Sequence, residues 1–248
     1  MRGILLAGGT GSRLYPLTKC INKHLLPICG KPMAQWNIEK FVDAGIKDIL
    51  IVSGQEQCGS IIQQFGDGSE LNCNLTYKVQ TKAGGIAQAL GLAKDFVRDE
   101  PMCVILGDNI FSMSLKDEVK NFRDGARIFL KKVPDPSRYG VASVHRKLSL
   151  TTKNQIIVDS IEEKPKEPKS EFAVTGIYFY DSRVFDIIAD IKPSARGELE
   201  ITDVNNYYIA MNEMTAFIMS DEEFWSDAGT FASYDYVNKE FHEREETI

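Results

Sequence analysis

The chain has little of what several functional classes require. No apolar run among its 248 residues approaches the length needed to cross a bilayer. Met1 leads directly into an apolar strand, so a signal peptide is not expected and the expected location is cytoplasmic. Five cysteines, Cys20, Cys29, Cys58, Cys73 and Cys103, form no CxxC pair, and their odd count and scatter fit reduced thiols. Only three histidines occur, His24, His145 and His242, and no two stand at i,i+4, which argues against zinc. There is no excess of positive charge: 29 Lys and Arg against 35 Asp and Glu give a formal charge of −6. A chain of that sign has no general attraction to nucleic acid or an anionic membrane, so neither is an expected partner, and an anionic ligand needs a local basic site. Internal repeats, low-complexity tracts and flexible linkers are also missing.

What is present is a soluble globular composition, 43% hydrophobic and 26% charged, in a chain long enough for one large α/β core. Ile4-Leu5-Leu6-Ala7 reads as a buried strand that runs into Gly8-Gly9-Thr10-Gly11-Ser12-Arg13. Glycines let backbone N–H groups converge on an anion, and the planar fork of Arg13 suits phosphate oxygens. The same stretch also fits an ordinary tight turn. A Walker A loop would end in GK[ST], and a dinucleotide fingerprint would carry a third glycine where Leu14 stands; neither pattern is met.

Further along, helices are expected at 31–45, 57–65, 86–97 and 199–211, with Pro32 in the first turn of the first of them. Strands are expected at 49–52, 75–80, 102–106 and, in a more mixed sheet, at 126–133, 140–145, 155–161, 172–180 and 217–219. The alternation predicts an α/β fold: a three-layer, Rossmann-like arrangement around a mixed but predominantly parallel central sheet. In such sheets ligands sit at the carboxyl ends of strands. Asp108, just after 104–106, is placed either to hold Mg²⁺ or to cap a helix near 114–119. Asp227 in Trp225-Ser226-Asp227 is a second candidate metal carboxylate. The charged segments Glu162-Glu163-Lys164 and Arg196-Gly197-Glu198 read either as solvated surface or as substrate contacts. A final helix is expected at 231–241, with a charged tail at 240–248 that frays.

Taken together, these stretches resemble the sugar-1-phosphate nucleotidyltransferases over practically the whole chain, most of all the branch that uses a thymidine triphosphate and glucose 1-phosphate. The resemblance rests on LAGGTGSRLYPLT at 6–18, NKHLLP at 22–27, LGDNIF at 106–111, RYGV at 138–141 and EEKPKEPKS at 162–170. It continues through AVTGIYFYD at 173–181, SARGELEITD at 194–203 and WSDAGT at 225–230. It implies one nucleotidyltransferase domain over 1–248, with a nucleotide lobe at 1–124, a sugar-phosphate lobe at 125–230 and a C-terminal helix and tail at 231–248. It also implies that dTTP, or UTP, reacts with a sugar 1-phosphate in the presence of Mg²⁺, giving a nucleotide sugar and pyrophosphate.

By that resemblance Gly8, Gly9, Gly11, Ser12, Arg13, Lys23, Gln80, Gly85 and Asp108 hold the nucleotide. Gly140, Glu163, Lys164, Val174 and Arg196 form the sugar-phosphate side, Asp108 and Asp227 hold the metal, and Arg13, Lys23, Asp108, Lys164 and Asp227 carry the chemistry. A homo-oligomer, such as a dimer, is the implied assembly. A catalytically weak, sugar-nucleotide-binding regulatory protein is the alternative from another class. Departures from the family pattern are Ser12 for threonine, the 81–85 loop without proline, the WSDAGT segment, a long hairpin at 147–154 and an end at Ile248. Long relatives continue with further helices there, so feedback control and tetramer assembly of their kind are expected to be altered.

Overall fold

The structure is a computed structural model that describes residues 1–147 and 155–245; the expected long hairpin at 147–154 lies almost wholly outside them, as do the last three residues of the expected frayed tail. The strands are β1 (Arg2–Ala7), β2 (Pro27–Ile28), β3 (Lys31–Pro32), β4 (Asp48–Gly54), β5 (Asn74–Gln80), β6 (Met102–Leu106) and β7 (Asn109–Phe111). They continue with β8 (Ala126–Lys132), β9 (Gly140–Lys147), β10 (Gln155–Glu163), β11 (Phe172–Tyr180), β12 (Met214–Ile218) and β13 (Trp225–Asp227). The helices are α1 (Met33–Asp43), α2 (Cys58–Phe65), α3 (Ile86–Gly91), α4 (Lys94–Val97), α5 (Lys116–Asn121), α6 (Val184–Asp190), α7 (Ile201–Ala210) and α8 (Phe231–Glu245).

β1 is central because it is apolar on both faces. Parallel β4 flanks it on one side, followed by β5, and parallel β6 on the other. Beyond β6 the sheet turns antiparallel through β11, which also pairs with β8 and, at Ala173, with β9, itself antiparallel to β10; β12 lies parallel to β8. Side chains alternate between faces along a strand. Ile4 and Leu6 therefore join Val52 and Val104 in a core with α3, α6 and α7. Leu5 and Ala7 join Ile51 and Ile105 in a second core with Ile38 and Phe41 of α1 and Ile61 of α2. That is the expected three-layer α/β arrangement. A third, smaller cluster packs Val237 and Phe241 of α8 against Ile28 and Met33.

Several expectations about elements are corrected. The helix expected at 86–97 divides into α3 and α4, because the N–H groups of Leu92 and Ala93 bond carbonyls only three residues back and tighten the chain there. α7 starts at Ile201 instead of 199, since both the N–H and the carbonyl of Leu199 are bonded to the 84–87 loop. Pro32 is extended and precedes α1. The 217–219 strand begins earlier, at Met214. α8 runs on to Glu245, so 240–245 is helical rather than frayed. The short elements β2, β3, β7, β13 and α6 carry no separate expectation from the sequence.

Candidate functional site

The loop after β1 is shaped by contacts its glycines permit. A Cβ on Gly8 would lie 2.7 Å from Gln80 Oε1, and Gly9 and Gly11 take φ of +94° and +64°. Thr18, buried, donates its hydroxyl to the Gly11 carbonyl at 2.7 Å, and the fully buried Leu14 anchors the turn that presents Arg13. Asn22 donates to the Ala7 carbonyl at 3.4 Å and accepts from the His24 N–H at 2.9 Å. That second bond identifies the oxygen, so the His24 ring donates from Nδ1 to it at 2.7 Å. Burial, with Lys23 alongside, pushes the His24 imidazole down to about 3 and keeps it neutral. Its ring fills the space a Cβ on Gly107 would need, 2.6 Å from that position.

These contacts fix Lys23 beside Asp108, with Nζ 2.5 Å from Oδ2. Burial opposes ionisation of Asp108, yet Lys23 and, more weakly, Arg13 hold its carboxyl well below the ordinary carboxylate range. Asp108 therefore does not cap α5; Ser114 accepts from the Lys116 N–H at 3.3 Å instead.

Asp227 arrives from a distant part of the sequence through the β7–β13 ladder, in which it stands opposite Asn109. Asn109 is buried and holds the junction together. Its Oδ1 accepts from the Gly176 N–H at 3.0 Å and from the Trp225 indole at 2.8 Å, while its Nδ2 donates to Asp108 at 3.0 Å. One point, where a Cβ on Gly229 would stand, lies 3.5 Å from Asp108 Oδ2, 3.4 Å from Asp227 Oδ2 and 3.2 Å from an Arg13 guanidinium nitrogen. Burial and then the Asp108 charge raise the Asp227 carboxyl. Arg138 at 3.6 Å and the Tyr139 hydroxyl, which donates at 3.0 Å, oppose that rise. Tyr139 is itself pushed up to about 12 by burial and by Asp227.

A third group comes from β9, β10 and α7. Gly140 stands opposite Glu163, whose carboxylate accepts from Thr202 Oγ1 at 2.6 Å and faces Lys164 at 3.4 Å and Arg196 at 3.6 Å. Lys164 has φ +45°, a left-handed backbone uncommon outside glycine, and its N–H donates to the Tyr139 carbonyl at 3.0 Å. Arg196 makes a two-pronged contact with Glu200, at 2.9 and 2.8 Å.

Two adjoining clefts result. One, of about 400 Å³, is lined by Gly140, Glu163, Lys164, Val174 and Asp227; the other, of about 330 Å³, by Gly8, Gly9, Lys23, Gln80 and Gly85; Arg13 and Asp108 line both. Gly11, Ser12 and Arg196 line neither, and Arg196 reaches the first cleft only through Glu163. Gly85 lines the second cleft at the seam where the 84–87 segment meets the chain before α7. Its φ is +98°, and a Cβ there would fall 2.5 Å from the Leu199 carbonyl. Sequence reasoning assigned no role to Asn109, Arg138, Tyr139, Thr202 or Trp225, although each lies inside a stretch that carries the resemblance.

Among the described residues no three His, Cys, Asp or Glu side chains converge as a metal cage. Two carboxylates do converge, and that donor set fits Mg²⁺, a hard ion commonly held by one or two carboxylates together with substrate phosphates. No helix among the described residues is long and apolar enough to cross a membrane.

Residues 2–244 match the family model described as "Nucleotidyl transferase". A glucose-1-phosphate thymidylyltransferase of Neisseria meningitidis is 40% identical over 238 residues, covering 94% of this chain and 80% of that protein. One from Xanthomonas campestris is 42% identical over 236 residues, covering 94% and 77%. A Bacillus anthracis protein, assigned as a candidate glucose-1-phosphate thymidylyltransferase and solved in complex with a sucrose, is 50% identical. It superposes with a TM-score of 0.86 over 96% of this chain and 94% of its own. A UDP-glucose pyrophosphorylase complexed with UDP-glucose also superposes at 0.86, but at 23% identity it speaks for the fold alone.

Proposed function

Since the chain belongs to the nucleotidyl transferase family, among enzymes acting on sugar 1-phosphates, we propose that it converts dTTP and α-D-glucose 1-phosphate to dTDP-glucose and pyrophosphate. The observation that carries this reading is the pair of adjoining clefts meeting at Arg13 and Asp108. One suits a nucleoside triphosphate over a glycine loop, the other a phosphorylated hexose beside Glu163 and Lys164. The choice of thymidine and glucose rests on the names borne by relatives about 40% identical.

The chemistry needs no covalent protein intermediate and no general base. A phosphate oxygen of the sugar phosphate, already anionic, forms a bond to the α-phosphorus, and the bond from that phosphorus to the bridging oxygen of the β-phosphate breaks as pyrophosphate leaves. The obstacles are mutual repulsion and alignment. Lys23, Lys164 and Arg196 are held by Asp108, Glu163 and Glu200. They reach incoming phosphates by exchanging a carboxylate partner for a phosphoryl oxygen. Arg13 and Lys23 serve the triphosphate and the departing pyrophosphate, where preorganised cations act on developing charge. Lys164 and Arg196 grip the sugar phosphate, and Glu163 accepts from sugar hydroxyls. Gln80 and Gly85 serve the pyrimidine, Gln80 by reading its edge. Asp108 and Asp227 would hold Mg²⁺, which supplies charge neutralisation of the reacting phosphates when bound. A homo-oligomer, in the simplest case a dimer, belongs to the same reading and is checked by sedimentation.

The test is a matrix of nucleoside triphosphates against sugar 1-phosphates, following pyrophosphate release with and without Mg²⁺. The fastest release is expected for dTTP with glucose 1-phosphate and Mg²⁺. Faster release with UTP would move the assignment to a uridylyltransferase. No release from any pair would leave a binding protein.

A further inference from the structure

Asn205 lies three residues beyond Thr202 on α7, so both occupy one face of the helix, and both line the cleft that holds Glu163 and Lys164. The side chain is 1% exposed. Its Oδ1 accepts from the Tyr180 hydroxyl at 2.6 Å. Tyr180 is fully buried and stacked between the rings of Tyr178 and Tyr208, at 5.9 and 5.8 Å, so that bond is firmly placed. The other half of the carboxamide has no such partner. Among the described residues, Asn205 Nδ2 is the one buried side-chain nitrogen or oxygen without a hydrogen bond. Buried polar groups are almost always paired, and an orphan calls for an explanation.

We propose that Asn205 is a specificity-determining residue of this cleft, its Nδ2 donating to a hydroxyl oxygen of the hexosyl ring. The proposal rests on the sugar 1-phosphate reading above and adds a residue to it. A hydroxyl fits better than a phosphoryl oxygen for two reasons. The neighbouring Thr202 hydroxyl is already committed to Glu163, the residue read above as accepting from sugar hydroxyls, so this face of α7 borders the sugar ring. The cations Arg13 and Lys164 are supplied by other elements lining the same space. Engagement requires the carboxamide to turn slightly toward the cleft while Tyr180 keeps hold of Oδ1. A sugar offering a hydroxyl at that spot relieves the orphan donor; one lacking it leaves the donor buried and unpaired, the circumstance in which polar sites discriminate most sharply.

The test compares the wild type with Asn205→Ala, using α-D-glucose 1-phosphate and its 2-, 3-, 4- and 6-deoxy analogues. Affinities are measured calorimetrically beside a non-hydrolysable dTTP analogue, and turnover is followed separately by pyrophosphate release. The wild type is expected to bind one deoxy analogue about 3- to 10-fold more weakly than the parent sugar phosphate because of this bond. In Asn205→Ala the parent weakens by a similar factor, the penalty at that one position disappears, and affinity for the dTTP analogue is unchanged. Tyr180→Phe removes the hydroxyl that Asn205 satisfies but keeps the donor, and it should retain the positional penalty. The proposal is overturned if Asn205→Ala preserves every deoxy penalty, if it weakens both substrates alike, or if Tyr180→Phe abolishes the same penalty. Failure of the wild type to release pyrophosphate while still binding glucose 1-phosphate would refute the transferase reading, and the analogue series would still decide the role of Asn205.

Discussion

Lys164 and Arg13 are both cations in the same cleft, yet their surroundings differ, and the proposed reaction gives them different work. Lys164 sits on a left-handed backbone beside Glu163, at the end proposed for the sugar phosphate, whereas Arg13 stands where both clefts meet, near both candidate metal carboxylates. Lys164→Ala is expected to raise KM for glucose 1-phosphate at least about tenfold, as a charged hydrogen bond is lost, with little change in KM for dTTP. Arg13→Ala is expected to lower kcat by about 10²–10³ at saturating substrates, as loss of a group facing developing charge does. Steady-state kinetics on both variants check this, and equal effects on the two substrates would contradict it. His24 gives a prediction for stability. Its ordinary value is 6.5 and the folded value about 3, so below pH 6.5 the unfolded chain takes up a proton that the native chain refuses. Stability from this residue is complete above 6.5 and declines as pH falls toward 3, by up to about 1.4 kcal/mol per pH unit. Urea unfolding at pH 7 and 5.5 is expected to show a loss about 1 kcal/mol larger in the wild type than in His24→Asn.

At the scale of elements, the site depends on two joints: the β7–β13 ladder, which sets Asp227 beside Asp108, and the seam between 84–87 and 198–200. The seam carries hydrogen bonds from the Leu199 N–H to the Gly84 carbonyl and from the Ala87 N–H to the Leu199 carbonyl. Gly85→Ala forces a Cβ into that carbonyl on a backbone suited to glycine. A cost of at least about 1–3 kcal/mol is expected, read as a lowered Tm. Because the seam borders both clefts, KM should rise for both substrates. These joints mark the limit of what the sequence discloses. β1, β4 and β6 are legible because continuous apolar runs follow from burial on two faces, and their ends coincide with the glycine loop and Asp108. β7 and β13 are three residues each and pair across more than a hundred positions, with Trp225 bonding Asn109 at a separation of 116. No local periodicity announces such a pairing. The roles of Asn109 and Tyr139 come from long-range geometry as well, whereas Asp227 was marked only by the company it keeps in WSDAGT.

For the whole molecule, the change of strand direction between β6 and β11 lies inside one hydrogen-bonded sheet, through four registered residue pairs. The core on one face of that sheet runs without a break from Ile4 to Met214. The halves on either side of that junction therefore share both backbone ladders and apolar packing, and the two clefts share Arg13 and Asp108. Such a body should open globally as one unit. Under native conditions the slowest amides of β1 and β6 and those of β8 and β11 are expected to exchange with the same opening free energy. A dTTP analogue at 100 times its Kd should then raise both sets by about 2.7 kcal/mol, because a ligand that binds only the folded chain stabilises everything that unfolds with its site. Hydrogen exchange followed by mass spectrometry reads the two sets separately. If β1 and β6 gained protection while β8 and β11 did not, the halves would be independent folding units, and the shared position of Arg13 and Asp108 would have to arise from docking of two domains rather than from one sheet.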